Sequence, residues 1–313
     1  MPTAAPVIKW RPEDPDAAFV PDASKISPRL IEIKDALVHA VSGVFRDKGI
    51  THAEYERFRQ VLVELQQMGV VHGFVDIWLD KMTDASADDE WPGTTSNPEG
   101  PLYVPGAPVL EPVGPGASYV LPQRENEPGT PLIISGQVRW LDGTPLGRAE
   151  IDVWQCCADT GIYSNFGLDD QPDWNLRGKF RCDADGRYVL RTVKPVPYMT
   201  PGIPQPILDI WDALGKAHFR PAHVHMKVRH DDLPDGMFMT QMYFTGDPYL
   251  GDNDPGENSQ RSLEVSPTPH SDPEELKAQG LEGYSSYLMI EFDIVAATTI
   301  SDSGTSRADG LVH

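Results

Sequence analysis

Between residues 131 and 295 the chain is cut into short β-type runs: Pro131–Trp140, Ala149–Gln155, Gly186–Thr192, Ala222–Val228, Phe238–Phe244 and Leu288–Val295. Turn clusters separate them, Leu141-Asp142-Gly143 and Asp183-Ala184-Asp185-Gly186 among them. β-Branched and aromatic side chains suit a half-buried pleated surface, whereas Gly, Asp and Pro interrupt it. Short strands at this density, with no helix between most of them, predict an antiparallel β-sandwich. Two helices decorate it: one at 206–215, and one opened by Asp272 with Pro273 in its first turn and Glu275 behind.

The N-terminal third follows a different period. Residues 1–27 are rich in Pro and Asp and read as an irregular arm. From Ser27 the apolar residues Leu30, Ile33, Leu37, Ala40 and Val41 recur at helical spacing. A second helix opens at Thr51, with Glu54 completing a capping box, and Gly69 ends it; a third helical piece is expected over 72–83. The apolar stripes of this helical N-terminal domain, 1–83, need a partner, either one another or a second subunit. Residues 84–131 shift to Pro, Gly, Asp and Glu and read as a linker that wraps. The sandwich domain then covers 132–295, and 296–313 reads as a small, polar, mobile tail. The fold class is therefore mostly β with a helical N-terminal domain.

A formal charge of −21 argues against a nucleic-acid partner, which needs a basic stripe. No apolar run reaches the roughly 18 residues of a membrane span. The start, MPTAAPVIKWRPEDPD, lacks the basic and apolar segments of a secretory signal. Cys156, Cys157 and Cys182 make no disulfide framework and read as packing residues in a reducing cytoplasm. Asp183-x-Asp185-Gly186 echoes the start of a calcium loop, but without a liganding Glu at the right distance it reads as a hairpin turn.

The chemistry concentrates in Arg220-Pro221-Ala222-His223-Val224-His225. Side chains two apart on a strand share a face, so His223 and His225 can converge on one metal. The same spacing also describes an ordinary polar strand face. Tyr163 and Tyr198 stand out beside them, and two imidazoles with two phenolates form a hard, anionic donor set. A free phenol titrates near pH 10, so phenolate ligation needs a strong Lewis acid, for which Fe(III) is the natural candidate. Read instead as core aromatics with hydrogen-bonded hydroxyls, the tyrosines imply no metal.

These segments resemble the intradiol ring-cleaving dioxygenases, over roughly residues 27–295. The likeness includes Glu99-Gly100-Pro101-Leu102-Tyr103-Val104-Pro105-Gly106-Ala107-Pro108, Val153-Trp154-Gln155 leading to Tyr163, Asn175-Leu176-Arg177-Gly178, Thr192-Val193-Lys194-Pro195, Arg220 to His225, Thr240-Gln241 and Gly246-Asp247-Pro248. The resemblance implies a non-haem ferric iron held by Tyr163, Tyr198, His223 and His225. Tyr198 matches the axial ligand that leaves when substrate binds. The substrates implied are an aromatic diol and O2, giving a cis,cis-muconate or a maleylacetate precursor. Arg220 is expected to stabilise developing charge on the substrate, Gln241 to orient a ligand or oxygen species, and Arg177 to support the site or tie down its loop.

The helical domain resembles the catechol and hydroxyquinol branch, in which it forms a homodimer interface. Asp173–Phe180 and Asp247–Leu250 look closer to hydroxyquinol enzymes, and hydroxyquinol is the favoured substrate on that basis. His270–Glu274 resembles catechol enzymes, and Thr240–Phe244 is similar to protocatechuate ones. Met68–Phe74 and Asp252–Pro267 depart from the branch. A non-catalytic sandwich module that binds a ligand or partner is the competing class, against which the intact Tyr, Tyr, His, His and Arg220 set argues.

Overall fold

Thr51 and Glu54 close the expected capping box: Glu54 Oε2 accepts the Thr51 N–H at 2.8 Å, and Thr51 Oγ1 accepts the Glu54 N–H at 3.2 Å. This starts helix α2 (His52–Gln67). Helix α1 (Pro28–Lys48) begins with Pro at its first position, where no amide hydrogen is needed, and with Ser27 accepting the Leu30 N–H. Gly49 in the left-handed region ends it. The computed structural model describes residues 24, 26–69, 92–114, 117–167, 171–200, 202–233 and 236–296. The expected helical piece at 72–83, the tail beyond 296 and nearly all of the N-terminal arm lie outside the described residues. The chain divides into two compact units, Met1–Val61 and Leu62–His313.

The second unit carries the strands in two sheets. The first contains β1 (Tyr119–Val120), β2 (Pro131–Trp140), β5 (Arg187–Val193), β9 (Thr268–His270), β10 (Tyr287–Glu291) and β11 (Ile294–Ala296). Its order is β1-β5-β2-β10-β9, with β11 also on β2. The second sheet, ordered β4-β3-β6-β7-β8, contains β3 (Glu150–Trp154), β4 (Arg177–Arg181), β6 (His223–Arg229), β7 (Met237–Phe244) and β8 (Glu264–Val265). Leu132, Ile134 and Leu190 from the first sheet join Ile151, Val153, Val224 and Met226 from the second in one buried cluster. Each such fully buried aliphatic side chain contributes roughly 1.5–3 kcal/mol. Two layers over a shared core match the expected sandwich, and helices α3 (Gln205–Ala213) and α4 (Pro273–Ala278) lie where expected.

The sheets are mixed, which corrects the expectation of an antiparallel sandwich. The antiparallel pairs are β2 with β5, β3 with β4 and β6, β6 with β7, and β9 with β10. By contrast β1 runs parallel to β5, β10 and β11 to β2, and β8 to β7. A hairpin-length connection forces antiparallel pairing, whereas a strand arriving after a long excursion takes either direction. β10 reaches β2 after the whole second sheet has been built, so no hairpin constrains it.

The described part of the linker lies against both sheets. Leu110 N–H donates to Lys179 O on β4 at 2.7 Å, and Leu121 N–H donates to Arg191 O on β5 at 3.0 Å. Leu102, Ala107 and Leu121 are buried.

Candidate metal centre

Strand β6 is buried on both faces apart from its last residue. Val224, Met226 and Val228 enter the core between the sheets, so His223 and His225 project together from the opposite face. Strand register fixes what surrounds them. Arg177, Trp154, His225 and Gln241 are successive cross-strand partners on β4, β3, β6 and β7, and His223 pairs with Tyr243 in the neighbouring row.

The two imidazoles are aimed by different means. His223 Nδ1 lies 2.7 Å from Pro221 O. A carbonyl only accepts, so Nδ1 carries the hydrogen and Nε2 presents its lone pair. Among the described residues His225 has no hydrogen-bond partner at Nδ1; its ring stacks on Trp154 with centroids 4.6 Å apart and planes 8° from parallel. The two Nε2 atoms face each other at 3.1 Å. Burial, reinforced by the Arg220 charge, pushes His223 down to about 3. Burial, His223 and Arg220 hold His225 well below the ordinary imidazole value. Both rings are therefore neutral, the form that ligates metal.

Tyr163 and Tyr198 arrive on separate loops. Gly161, at φ +70°, lets the first loop close on the second: an added Cβ would stand 2.8 Å from Tyr198 Cβ. Arg177 ties down the Tyr163 loop, donating from Nε to Ser164 Oγ at 3.0 Å and from Nη2 to Ser164 O at 3.1 Å. Tyr198 exchanges both backbone hydrogen bonds with Arg220, at 3.1 and 2.8 Å. The tyrosine rings meet edge-on with centroids 5.0 Å apart, and Tyr198 Oη lies 3.4 Å from His223 Nε2. Burial raises both phenols above the ordinary value, Tyr163 strongly, with Arg220 opposing the rise. Neither ionises by itself near neutral pH.

Among the described residues the buried Tyr163 hydroxyl has no partner in hydrogen-bond geometry, and Tyr198 is the neighbouring phenol that raises it further. An orphaned buried hydroxyl costs about 1–3 kcal/mol, and the Tyr163 ring stands beside a second phenol, 5.0 Å between centroids, and the His225 imidazole, 6.4 Å. That donor chemistry fits a hard trivalent ion. Among the described residues no group of three or more His, Cys, Asp or Glu could hold a metal instead. Cys156, Cys157 and Cys182 are buried and free, with burial pushing Cys156 and Cys182 up to about 12. Asp183 accepts the N–H groups of Asp185 and Arg187, as a hairpin turn requires.

Arg220 is not a surface ion-pair residue. Its guanidinium meets the fully buried Asp254 and donates to the Tyr243 hydroxyl at 2.9 Å. Gln241 accepts from Tyr243 at 2.5 Å and donates to Pro98 O at 3.2 Å. Trp154, Tyr243 and Asp254 were not singled out by spacing. Strand parity places Trp154 and Tyr243 on the ligand face once register is known, whereas no short motif marks Asp254.

The chain resembles known proteins over most of its length. A family model described as "Dioxygenase" matches residues 99–281. A chlorocatechol 1,2-dioxygenase of Pseudomonas putida is 36% identical over 228 residues, 72% of this chain and 82% of the relative. A catechol 1,2-dioxygenase of Acinetobacter baylyi is 34% identical over 272 residues, 82% of each chain. The crystal structure of a hydroxyquinol 1,2-dioxygenase from Pseudomonas putida superposes with a TM-score of 0.68 at 26% identity, covering 87% of this chain and 92% of that one.

Proposed function

We propose that this chain, which belongs to the intradiol ring-cleaving dioxygenases, acts on a catechol-type diol at a ferric centre held by Tyr163, Tyr198, His223 and His225. The observation that carries the ligand assignment is the convergence of two neutral imidazoles, their Nε2 atoms facing each other, on two buried phenols. Ferric iron bound there supplies the Lewis acidity that makes phenolate and diolate oxygens stable at neutral pH.

The protein's own residues supply positioning and proton transfer. Tyr198 would be a phenolate only while ferric iron holds it, and in that form its Oη would take a proton from the incoming diol, which must lose protons to bind as an anion. Tyr163, held by the loop that Arg177 anchors, stays in place. Arg220 carries a fixed charge beside the Tyr198 backbone and stabilises negative charge that develops on the diol oxygens. Gln241 has both ends of its amide engaged, so its role is to hold Tyr243 and Arg220 rather than to reach the substrate.

Catechol and chlorinated catechols are the favoured substrates, because relatives with those names match the chain at 32–38% identity. Hydroxyquinol, favoured on the Asp173–Phe180 and Asp247–Leu250 segments, is the second reading, and it gains weight from the hydroxyquinol enzyme among the structural neighbours. Oxygen uptake with catechol, 3-chlorocatechol, hydroxyquinol and protocatechuate separates them. A preference for protocatechuate would sink the branch assignment. A colourless, iron-free protein inactive on all four after ferric loading would sink the enzyme reading in favour of a binding module.

A homodimer through the N-terminal helices is part of the same reading. Helix α1 buries none of its side chains, and Leu30, Leu37, Val41 and Phe45 are exposed. An apolar helical stripe left in water calls for a partner. A monomer that persists at all concentrations by solution mass measurement would refute it.

A further inference from the structure

The segment Gly251–Ser259 folds around one buried carboxylate. Asp254 has no exposed surface. Its Oδ1 accepts the Gly256 N–H at 3.0 Å, and its Oδ2 accepts those of Asn258 and Ser259, each at 3.1 Å. The same two oxygens receive Arg220 in a forked pair, Nε to Oδ1 at 3.2 Å and Nη2 to Oδ2 at 3.3 Å. Burial alone would raise the carboxyl, and Arg220 together with the Gly256 N–H brings it below the ordinary carboxylate value.

Three backbone donors pin the carboxylate, so it cannot follow the guanidinium; the guanidinium must come to it. Gly256 closes the flank. A Cβ there would stand 2.8 Å from Arg220 Nε and 3.0 Å from Cζ. On the other side Arg220 Nη2 meets Tyr243 at 2.9 Å. Nε and Nη2 are thus committed, and Nη1 has no hydrogen bond to a described residue. The backbone of the same arginine is paired with Tyr198.

We propose that Asp254 is a positioning residue for ring cleavage: it locks the Arg220 fork so that Nη1 remains the free donor for the oxygen atoms of the bound diol. This rests on the dioxygenase reading above. Asp254 touches no substrate and acts through Arg220. A planar, forked guanidinium held at two of its three nitrogens has its third aimed, which a lysine or an unpaired arginine would not achieve.

The test uses the iron-loaded full chain with catechol and four variants: Asp254→Asn, Gly256→Ala, Arg220→Gln, and Asp254→Asn combined with Arg220→Gln. Asp254→Asn should keep the iron colour and KM while kcat falls about 10- to 100-fold, as when one preorganised charge donor is lost. Gly256→Ala leaves the carboxylate in place and pushes the guanidinium aside, so it should lower kcat in the same direction and carries the test if Asp254→Asn does not fold. In the Arg220→Gln background the Asp254 change should cost less than about twofold, because the two act as one unit. A crystal structure of Asp254→Asn should show the guanidinium turned while Asn258 and Ser259 keep their places. Equal losses with and without Arg220, an unmoved guanidinium, or wild-type kcat in Asp254→Asn would each overturn the proposal. A wild type that cleaves none of the four diols overturns the dioxygenase reading and the proposal with it. A wild type that cleaves them beside an unaffected Asp254→Asn overturns the proposal alone.

Discussion

The Trp154 indole lies flat on the His225 imidazole, 4.6 Å between centroids, where a hydrogen bond to Nδ1 would otherwise fix the ring. Their register across β3 and β6 makes the stack a direct cross-strand pair. Tyr103 backs the indole at 4.8 Å. Stacking of this kind is worth about 0.5–1.5 kcal/mol beyond area burial. Trp154→Leu should therefore free the His225 ring, and iron retention against a chelator should fall about 10-fold or more, the usual cost of losing an orienting partner. Unchanged iron retention in a folded Trp154→Leu protein would contradict this role.

The neutral imidazoles make the iron-free protein sensitive to acid. His223 is pushed down to about 3 and His225 lies well below the ordinary value, so neither takes up a proton in the folded state at mildly acidic pH. In the unfolded chain both protonate as the pH falls below about 6.5. The unfolded state thus binds more protons between that value and the folded values, and stability falls with falling pH. Each histidine contributes a slope of about 1.4 kcal/mol per pH unit, and neither contributes above about pH 7.5. Urea unfolding of iron-free protein at pH 7.5, 6.0 and 5.0 measures the slope, which His223→Gln should reduce by half.

The sequence carried the parity of His223 and His225 because period-two alternation is local, and β2 runs over the residues its β-type run marked. Resemblance, not spacing, brought in Tyr163 and Tyr198, since each sits on a loop whose path depends on Gly161 or on the backbone of Arg220. β4 is absent from the expected strands because Arg177-Gly178-Lys179-Phe180-Arg181 holds three basic residues and no β-branched one, although Arg177 and Phe180 are buried. The parallel placement of β10 and β11 depends on sheet order, which alternation does not encode. Asp254 could not be found from sequence because its partner is 34 residues away, across strands β6 and β7, and the loop after Phe244 that carries it has no regular period.

Gly161 and Gly167 separate backbone strain from close approach. Both have positive φ, +70° and +66°. A Cβ at Gly161 meets Tyr198 Cβ at 2.8 Å, whereas at Gly167 nothing lies within 4 Å. Each Ala substitution costs about 1–2 kcal/mol for the left-handed backbone. Gly161→Ala must also displace the Cβ of Tyr198, a proposed ligand, which has little freedom to move. Thermal unfolding should therefore shift further for Gly161→Ala than for Gly167→Ala, and only Gly161→Ala should shift the ferric charge-transfer band. Matching losses in the two variants, with both bands unaltered, would show that the Gly161–Tyr198 contact is irrelevant to the site.

Tyr163→Phe should act in opposite directions with and without iron. In the iron-free protein the Tyr163 hydroxyl is buried with no partner in hydrogen-bond geometry among the described residues, so deleting it removes a desolvation cost of about 1–3 kcal/mol and leaves ring packing intact. Phe at this position is expected to raise the iron-free unfolding temperature. With iron bound, the same substitution deletes a proposed phenolate ligand, so iron affinity and the charge-transfer band should both drop. Tyr198→Phe provides the contrast: its hydroxyl lies 3.4 Å from His223 Nε2, so its removal gives the iron-free protein no comparable gain. Unfolding curves of the two variants, iron-free and iron-loaded, decide the matter. If Tyr163→Phe destabilises the iron-free protein, its hydroxyl has a structural partner and the site is not built around an open ligand position.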